Sequence, residues 1–190
     1  MEMVMVVPTC ELRPYLGQQG LNRGLDDALL QLIENRHLFL PRADVEEDPS
    51  YRQLIPYVTL CRPGEVFVMQ RLKRGMEKRL HGLLSLGAGG HIDLADENGG
   101  DVLLRGLRRE LHEELRIERP GALTPVGIIH DNSNAVGRVH LGLFFTLSAE
   151  DAAVRETEKL EGSWVARSRL PALEDRMENW SRIVLPALLE

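Results

Sequence analysis

The sequence predicts an α/β protein, a mixed sandwich of helices on a β-sheet. Three observations point there. Strand-like and helix-like segments alternate along the chain with no internal repeat or low-complexity tract. A Pro-Gly turn joins two β-rich runs early, and an amphipathic helix follows a glycine-rich stretch in the middle. The chain has 190 residues, 43% of them hydrophobic, enough to bury a real core in one domain.

Residues 4–7 are a short strand candidate stopped by Pro8. Residues 25–33 read as a helix, because Leu25, Leu29, Leu30 and Ile33 share a face and Asp26 and Asp27 suit a first turn. The acidic, proline-bounded stretch 41–50 reads as a loop, setting a 1–50 N-terminal extension apart from a main domain at 51–190. Residues 55–61 and 65–71 form the hairpin across Arg62-Pro63-Gly64. A helix is expected over 102–115, with Leu104, Leu107, Leu111 and Leu115 as its apolar stripe and Asp101 as its N-cap. Strands follow near 126–130 and 139–147, the second buried on both faces, and another near 163–166. The last helix, 178–189, contains Pro186, so its final turn should kink or fray.

Composition excludes several classes. Lys plus Arg number 23 and Asp plus Glu 29, a formal charge of −6, which argues against binding nucleic acid through overall basicity. Two cysteines, Cys10 and Cys61, cannot build a disulfide framework and suit a reducing compartment. No secretory signal and no apolar run near the ~20 residues of a membrane span is seen. A cytoplasmic protein without a membrane or stable nucleic-acid partner is expected; a homodimer is possible.

The chemistry concentrates in Arg108-Arg109-Glu110-Leu111-His112-Glu113-Glu114-Leu115. On a helix, Glu110, Glu113 and Glu114 stand at i, i+3 and i+4 and share one face. Like charges there repel, unless a hard divalent cation takes them as oxygen ligands. A solvated acidic face balanced by Arg108, Arg109 and Arg116 is the plainer alternative for three glutamates alone. Upstream, Gly87-Ala88-Gly89-Gly90-His91 lets the backbone approach metal or phosphate closely.

Together these residues resemble the signature of the Nudix hydrolase superfamily, G-x5-E-x7-R-E-U-x-E-E-x-G-U with U a bulky aliphatic residue. Arg109, Glu110, Leu111, Glu113, Glu114 and Ile117 fill its second half. Asp101 takes the first acidic position, and Arg116 replaces the late glycine. Ten residues separate Gly90 from Asp101 where the pattern has five, so a five-residue insertion is expected around residues 95–99. The resemblance covers roughly residues 55–173 and is closest to a phosphoesterase-like subgroup.

It implies an α/β/α sandwich with a mixed sheet and the signature loop–helix–loop. It also implies hydrolysis of a nucleoside diphosphate derivative or similar small diphosphate by water attack at phosphorus, with Mg²⁺ or Mn²⁺. Glu110, Glu113 and Glu114 would be metal ligands with the carbonyl near Gly90, and Arg109 would orient the glutamates. The general base is not fixed by the signature: Glu156, Glu158 and Glu161 are candidates, Glu161 favoured beside Gly162. Among the basic residues Arg71, Lys73, Arg74, Lys78, Arg79 and His81, the arginines Arg71 and Arg79 are the better phosphate contacts. His91 is a further substrate-contact candidate. Trp164, Tyr57 and Phe67 suit core packing better than base stacking. Two other readings stay open, an isopentenyl-diphosphate-isomerase-like enzyme and a non-catalytic nucleotide-sensing module.

Overall fold

The computed structural model describes residues 1–72, 82–97, 101–155, 157–158 and 160–190. The order is β1 (Met3–Pro8), α1 (Thr9–Leu12), β2 (Gly20–Arg23), α2 (Asp27–Arg36), β3 (Leu38–Pro41), α3 (Arg42–Val45), β4 (Tyr51–Arg62) and β5 (Glu65–Arg71). Then come β6 (Leu84–Ser85), β7 (Ala88–Gly89), a 3-10 turn (Leu94–Glu97), α4 (Val102–Glu114) and β8 (Leu115–His130). A 3-10 turn (Gly137–Val139), β9 (His140–Val154), β10 (Leu160–Ala166), a 3-10 stretch (Arg167–Arg176) and α5 (Asn179–Leu189) complete the chain. The strands form a large sheet hydrogen-bonded in the order β10-β5-β4-β9-β8-β2, so the α/β class with a large mixed sheet holds.

Contacts divide the chain into two compact units. The first comprises Met1–Tyr57, Gly89–Arg109 and Pro125–Phe144. Here β1 pairs antiparallel with both β3 and β4, placing Val6 opposite Leu38 and Gln53, and β2 pairs antiparallel with β8. Val4, Val6 and Val45 are buried together, with Leu40 and Tyr51 packed against them. Helix α2 starts later than its apolar pattern suggests, because Asp26 lies outside it and accepts the Leu29 N–H at 2.8 Å as N-cap. The expected loop at 41–50 contains α3, whose Val45 is needed in that core. Tyr57 belongs to the core, its ring 6.2 Å from that of Phe144.

The second unit comprises Val58–Ala88, Glu110–Thr124 and Phe145–Glu190. Its strands β5 and β10 pair antiparallel over seven residues, from Leu160 opposite Arg71 to Ala166 opposite Glu65. β10 thus begins three residues before the expected strand. Phe67 is buried, 5.3 Å from the ring of Trp164. Trp164 itself donates Nε1–H to Asp151 at 2.9 Å and lies under the Arg62 guanidinium at 4.4 Å. Helix α5 stays helical past Pro186 to Leu189.

Strand β9 is buried continuously over His140–Phe145, as expected of a strand covered on both faces. The apolar stripe of α4 differs by one residue from the expectation. Leu103, Leu107, Leu111 and Leu115 are buried, while Leu104 is only half-buried. Each such leucine contributes roughly 1.5–3 kcal/mol on burial. No helix among the described residues is long and apolar enough to cross a membrane.

Candidate active site

The glycine-rich run is placed by close backbone approach. Gly89 lies where a Cβ would stand 2.2 Å from the Pro56 carbonyl oxygen, so β7 rests on β4 only because the side chain is absent. Upstream, the N-terminal turn of α5 ties down residues 84–87. The Glu178 N–H donates to Leu84 O at 3.0 Å, the Leu86 N–H donates to Ser181 Oγ at 2.8 Å, and Ser85 Oγ donates to Glu178 Oε1 at 2.6 Å. The sequence reading assigned Glu178 and Ser181 no role in holding this run.

Downstream of the run, the ion pair that fixes α4 is made by Asp96 and not by Asp101, which takes the signature's first acidic position in the sequence reading. Asp101 does not pair with Arg109. It caps α4, its carboxylate accepting the Leu104 N–H at 3.1 Å. Asp96, in the Leu94–Glu97 turn, takes Arg109 instead, with Nη2 to Oδ2 at 2.9 Å and Nε to Oδ1 at 3.1 Å. Asp96 also accepts the Asp93 N–H at 2.9 Å and is only 6% exposed. Five residues separate Gly90 from Asp96, as the signature asks, and twelve separate Asp96 from Arg109 where it has seven. The five-residue insertion therefore follows the acid rather than preceding it. That spacing was the signal available in the sequence.

Arg109 has a second anchor, donating from Nη2 to the His91 carbonyl at 2.9 Å. Arg105, one turn earlier, donates from Nε to the Asp96 carbonyl at 2.6 Å. Gly106 faces the same turn: a Cβ there would stand 2.9 Å from Ile92 Cγ1 and 3.1 Å from Asp96 Oδ2. The first unit so brings together His91, Asp96 and Arg109. Around the His91 ring stand Gln53 and His140, both buried. Arg52 is buried too, donating to Gly137 O at 2.8 Å and Asn132 Oδ1 at 2.9 Å, and burial lowers its pKa. Arg52 and Gln53 lie just before the strand read at 55–61, and their side-chain partners are brought up by the fold, which is why sequence pattern passed over them.

In the second unit, Glu110 and Glu114 are half-buried and Glu113 is exposed, at i, i+3 and i+4 on α4. Arg116 replaces the late glycine without loss of the helix end. Arg155 serves instead, its N–H donating to Glu114 O at 2.8 Å and its Nε to Leu115 O at 2.9 Å. Among the described residues, no three His, Cys, Asp or Glu side chains stand together as a ready cage for an ion. The donor chemistry nonetheless fits Mg²⁺ or Mn²⁺, which take carboxylate oxygens and fill their remaining positions with water and phosphate.

Glu161 is exposed, opposite Gln70 in the β5–β10 ladder, and lines a groove of about 550 Å³ with Val68, Ser163, Val165 and Arg176. Glu158 is exposed. Arg71 ends β5; its Nε is enclosed with no hydrogen-bond partner among the described residues. Arg79 lies outside the described residues, with Lys73, Arg74, Lys78, His81 and Glu156.

Comparison with known proteins gives the same picture. The chain is 39% identical to Protein YmaB of Bacillus subtilis (strain 168) over 202 residues, covering 98% of this chain and 97% of that one. It superposes on the crystal structure of Tm1382, a proposed Nudix hydrolase, with a TM-score of 0.88 and 29% identity over 98% of each chain. The Nudix domain of Shewanella oneidensis NrtR, solved with ADP-ribose, shares the fold at a TM-score of 0.52 and 16% identity, covering 73% of this chain and 84% of that one. No family model matches the chain. An arginine on the glutamate helix is locked to an acid separated from Gly90 by the five residues of the signature, and with a fold matching Tm1382 over 98% of each chain the chain belongs to the Nudix hydrolase superfamily.

Proposed function

We propose that the protein is a divalent-metal-dependent pyrophosphohydrolase, cleaving the phosphoanhydride bond of a nucleoside diphosphate derivative by water attack at phosphorus. The observation that carries this reading is the anchoring of Arg109. A guanidinium held by Asp96 and by the His91 carbonyl, one residue before Glu110, fixes the rotation of α4. The three carboxylates then keep one orientation on its surface.

In this reading residues 51–190 are the hydrolase domain and residues 1–50 its extension. Glu110, Glu113 and Glu114 hold the ion, with the Gly90 carbonyl as a further ligand. Mg²⁺ or Mn²⁺, when bound, supplies charge neutralisation of the diphosphate and acidifies water. Glu161 accepts the proton of the attacking water. Arg71, Arg79 and His91 contact the substrate, the arginines through phosphate oxygens. A nucleotide-derived substrate is favoured by the ADP-ribose held in the related NrtR domain. An isomerase relying on a cysteine is disfavoured: burial pushes the Cys61 thiol up, against a smaller opposing pull from Arg167, away from the reactive thiolate.

The test is hydrolysis of ADP-ribose, UDP-glucose and dATP with Mg²⁺, products identified by mass spectrometry. Release of a nucleoside monophosphate or pyrophosphate is expected. Glu113→Gln and Glu114→Gln should each abolish turnover while the fold survives. Full activity in both variants would overturn the metal assignment.

A further inference from the structure

Helix α4 ends without the glycine that commonly closes a helix. Such a glycine takes a left-handed conformation just past the last turn and brings backbone N–H groups back onto the final carbonyls. Arg116 stands at that place, and among the described residues Arg119 is the only non-glycine with a positive φ. The chain instead runs extended from the helix, β8 starting at Leu115 directly after Glu114. An extended exit carries its own N–H groups away, so the last carbonyls need donors from elsewhere.

Arg155, which follows directly on the end of β9, supplies two of them. Its backbone N–H donates to the Glu114 carbonyl at 2.8 Å. Its Nε donates to the Leu115 carbonyl at 2.9 Å, and its Nη2 stands 3.3 Å from His112 Nε2. One residue thus grips the helix end at positions 112, 114 and 115. The other fastenings of α4 lie upstream, where Asp101 holds the Leu104 N–H and Asp96 holds Arg109. Glu110 follows Arg109 directly, whereas Glu113 and Glu114 close the helix in the turn that Arg155 holds.

We infer that Arg155 is a positioning residue for the metal: its guanidinium holds the last turn of α4 so that Glu113 and Glu114 present their carboxylates together with Glu110. This rests on the metal assignment of the pyrophosphohydrolase reading. Without its side-chain fastening the helix end frays, and the carboxylates on it must be ordered again each time an ion binds. That ordering costs affinity although every ligand atom is still present. The charge of Arg155 acts in the opposite direction. A guanidinium at the glutamate end of the helix repels a divalent cation, so losing the charge alone would tighten binding. The sign of the change therefore separates positioning from simple electrostatics. Arg155 is exposed, so its side chain can be altered without opening the core, and its backbone bond to Glu114 survives the change.

The test is direct binding of Mn²⁺ to the intact protein without substrate, read from the electron paramagnetic resonance signal of the free ion. Arg155→Met keeps the aliphatic stem and removes both the charge and the donors. Its dissociation constant for Mn²⁺ should lie roughly tenfold above that of the wild type. Arg116→Ala removes an equal charge from an exposed side chain at the same helix end, and should bind Mn²⁺ as tightly as the wild type or more tightly. Thermal melts confirm that both variants are folded at the temperature of the titration. Unchanged or tighter binding in Arg155→Met, or an equal loss in Arg116→Ala, overturns the inference. Glu113→Gln and Glu114→Gln locate the ion, and each should weaken Mn²⁺ binding. A wild type that binds no Mn²⁺, or binding that both glutamine substitutions leave untouched, overturns the metal assignment and the role of Arg155 with it. Loss in the glutamine variants with none in Arg155→Met overturns the inference alone.

Discussion

Arg109 and Asp96 form a two-contact ion pair, Nη2 to Oδ2 at 2.9 Å and Nε to Oδ1 at 3.1 Å, with the carboxylate enclosed and the guanidinium about a third exposed. Planar geometry on both sides makes the pair directional as well as attractive. Asp96→Asn puts an amide donor against a guanidinium and should cost about 2 kcal/mol. It should also lower kcat by roughly tenfold or more, because α4 loses its rotational anchor. Asp101→Asn is the matched control. Asparagine caps a helix as well as aspartate, so stability should change by less than about 0.5 kcal/mol and kcat little. Urea unfolding and kcat on both variants check this; a larger loss in Asp101→Asn would refute the pairing.

Two glycines should resist the smallest possible change, in a stated order. Gly106→Ala gains about 1 kcal/mol of helix propensity, yet its methyl would press on buried Ile92 and on the Asp96 carboxylate. Crowding of that kind costs about 1–3 kcal/mol, so a net loss of about 1 kcal/mol is expected. Gly89→Ala meets backbone at 2.2 Å, which cannot swing aside as a side chain tip can. It should be the more damaging of the two in urea titrations.

Ser181 is fully buried and accepts the Leu86 N–H at 2.8 Å. Alanine would leave that donor enclosed without an acceptor, at about 1–3 kcal/mol. Ser181→Ala should lower the melting temperature and speed hydrogen exchange at the Leu86 amide, with smaller changes at the paired strands β5 and β10. Uniform acceleration everywhere would mean that the serine stabilises the whole molecule rather than the approach to the glycine run.

The cysteines should behave differently. Cys10 is exposed and Cys61 half-buried, its thiol pushed up from about 9 by burial. Under native conditions a thiol reagent should label Cys10 first. The folded protein releases the Cys61 proton at higher pH than the unfolded chain does. Above about pH 9 the unfolded state therefore ionises first, and stability should fall as pH rises further. Cys61→Ser should flatten that alkaline limb of a denaturation-versus-pH curve.

How legible was all this in the residues? The run from Arg109 to Glu114 was readable because its meaning is local: helical spacing alone puts three carboxylates on one face. Asp96 was harder. Four acids, Asp93, Asp96, Glu97 and Asp101, precede the helix, and composition does not say which one folds back; the spacing from Gly90 points to Asp96, and the 3-10 turn at Leu94–Glu97 and the space left by Gly106 accommodate it. Leu103 replaced Leu104 in the buried stripe because the two adjacent leucines, at i−4 and i−3 from Leu107, fit neighbouring faces of a helix nearly equally. Arg52, Gln53 and His140 escaped notice since each is a polar residue with a partner from a distant segment. Ser181 and Glu178 hold residues more than ninety positions away, a relation no local pattern carries.

The two acids that bracket the signature insertion have separate duties, Asp96 to the arginine and Asp101 to the helix end. Neither of these two contacts is made by a residue between them. Doubling the length of such a connection costs only about 0.6 kcal/mol in closure entropy. A reporter peptide or a tether spliced into the sequence between these two acids should therefore leave the Arg109 pairing and the helix cap as they are.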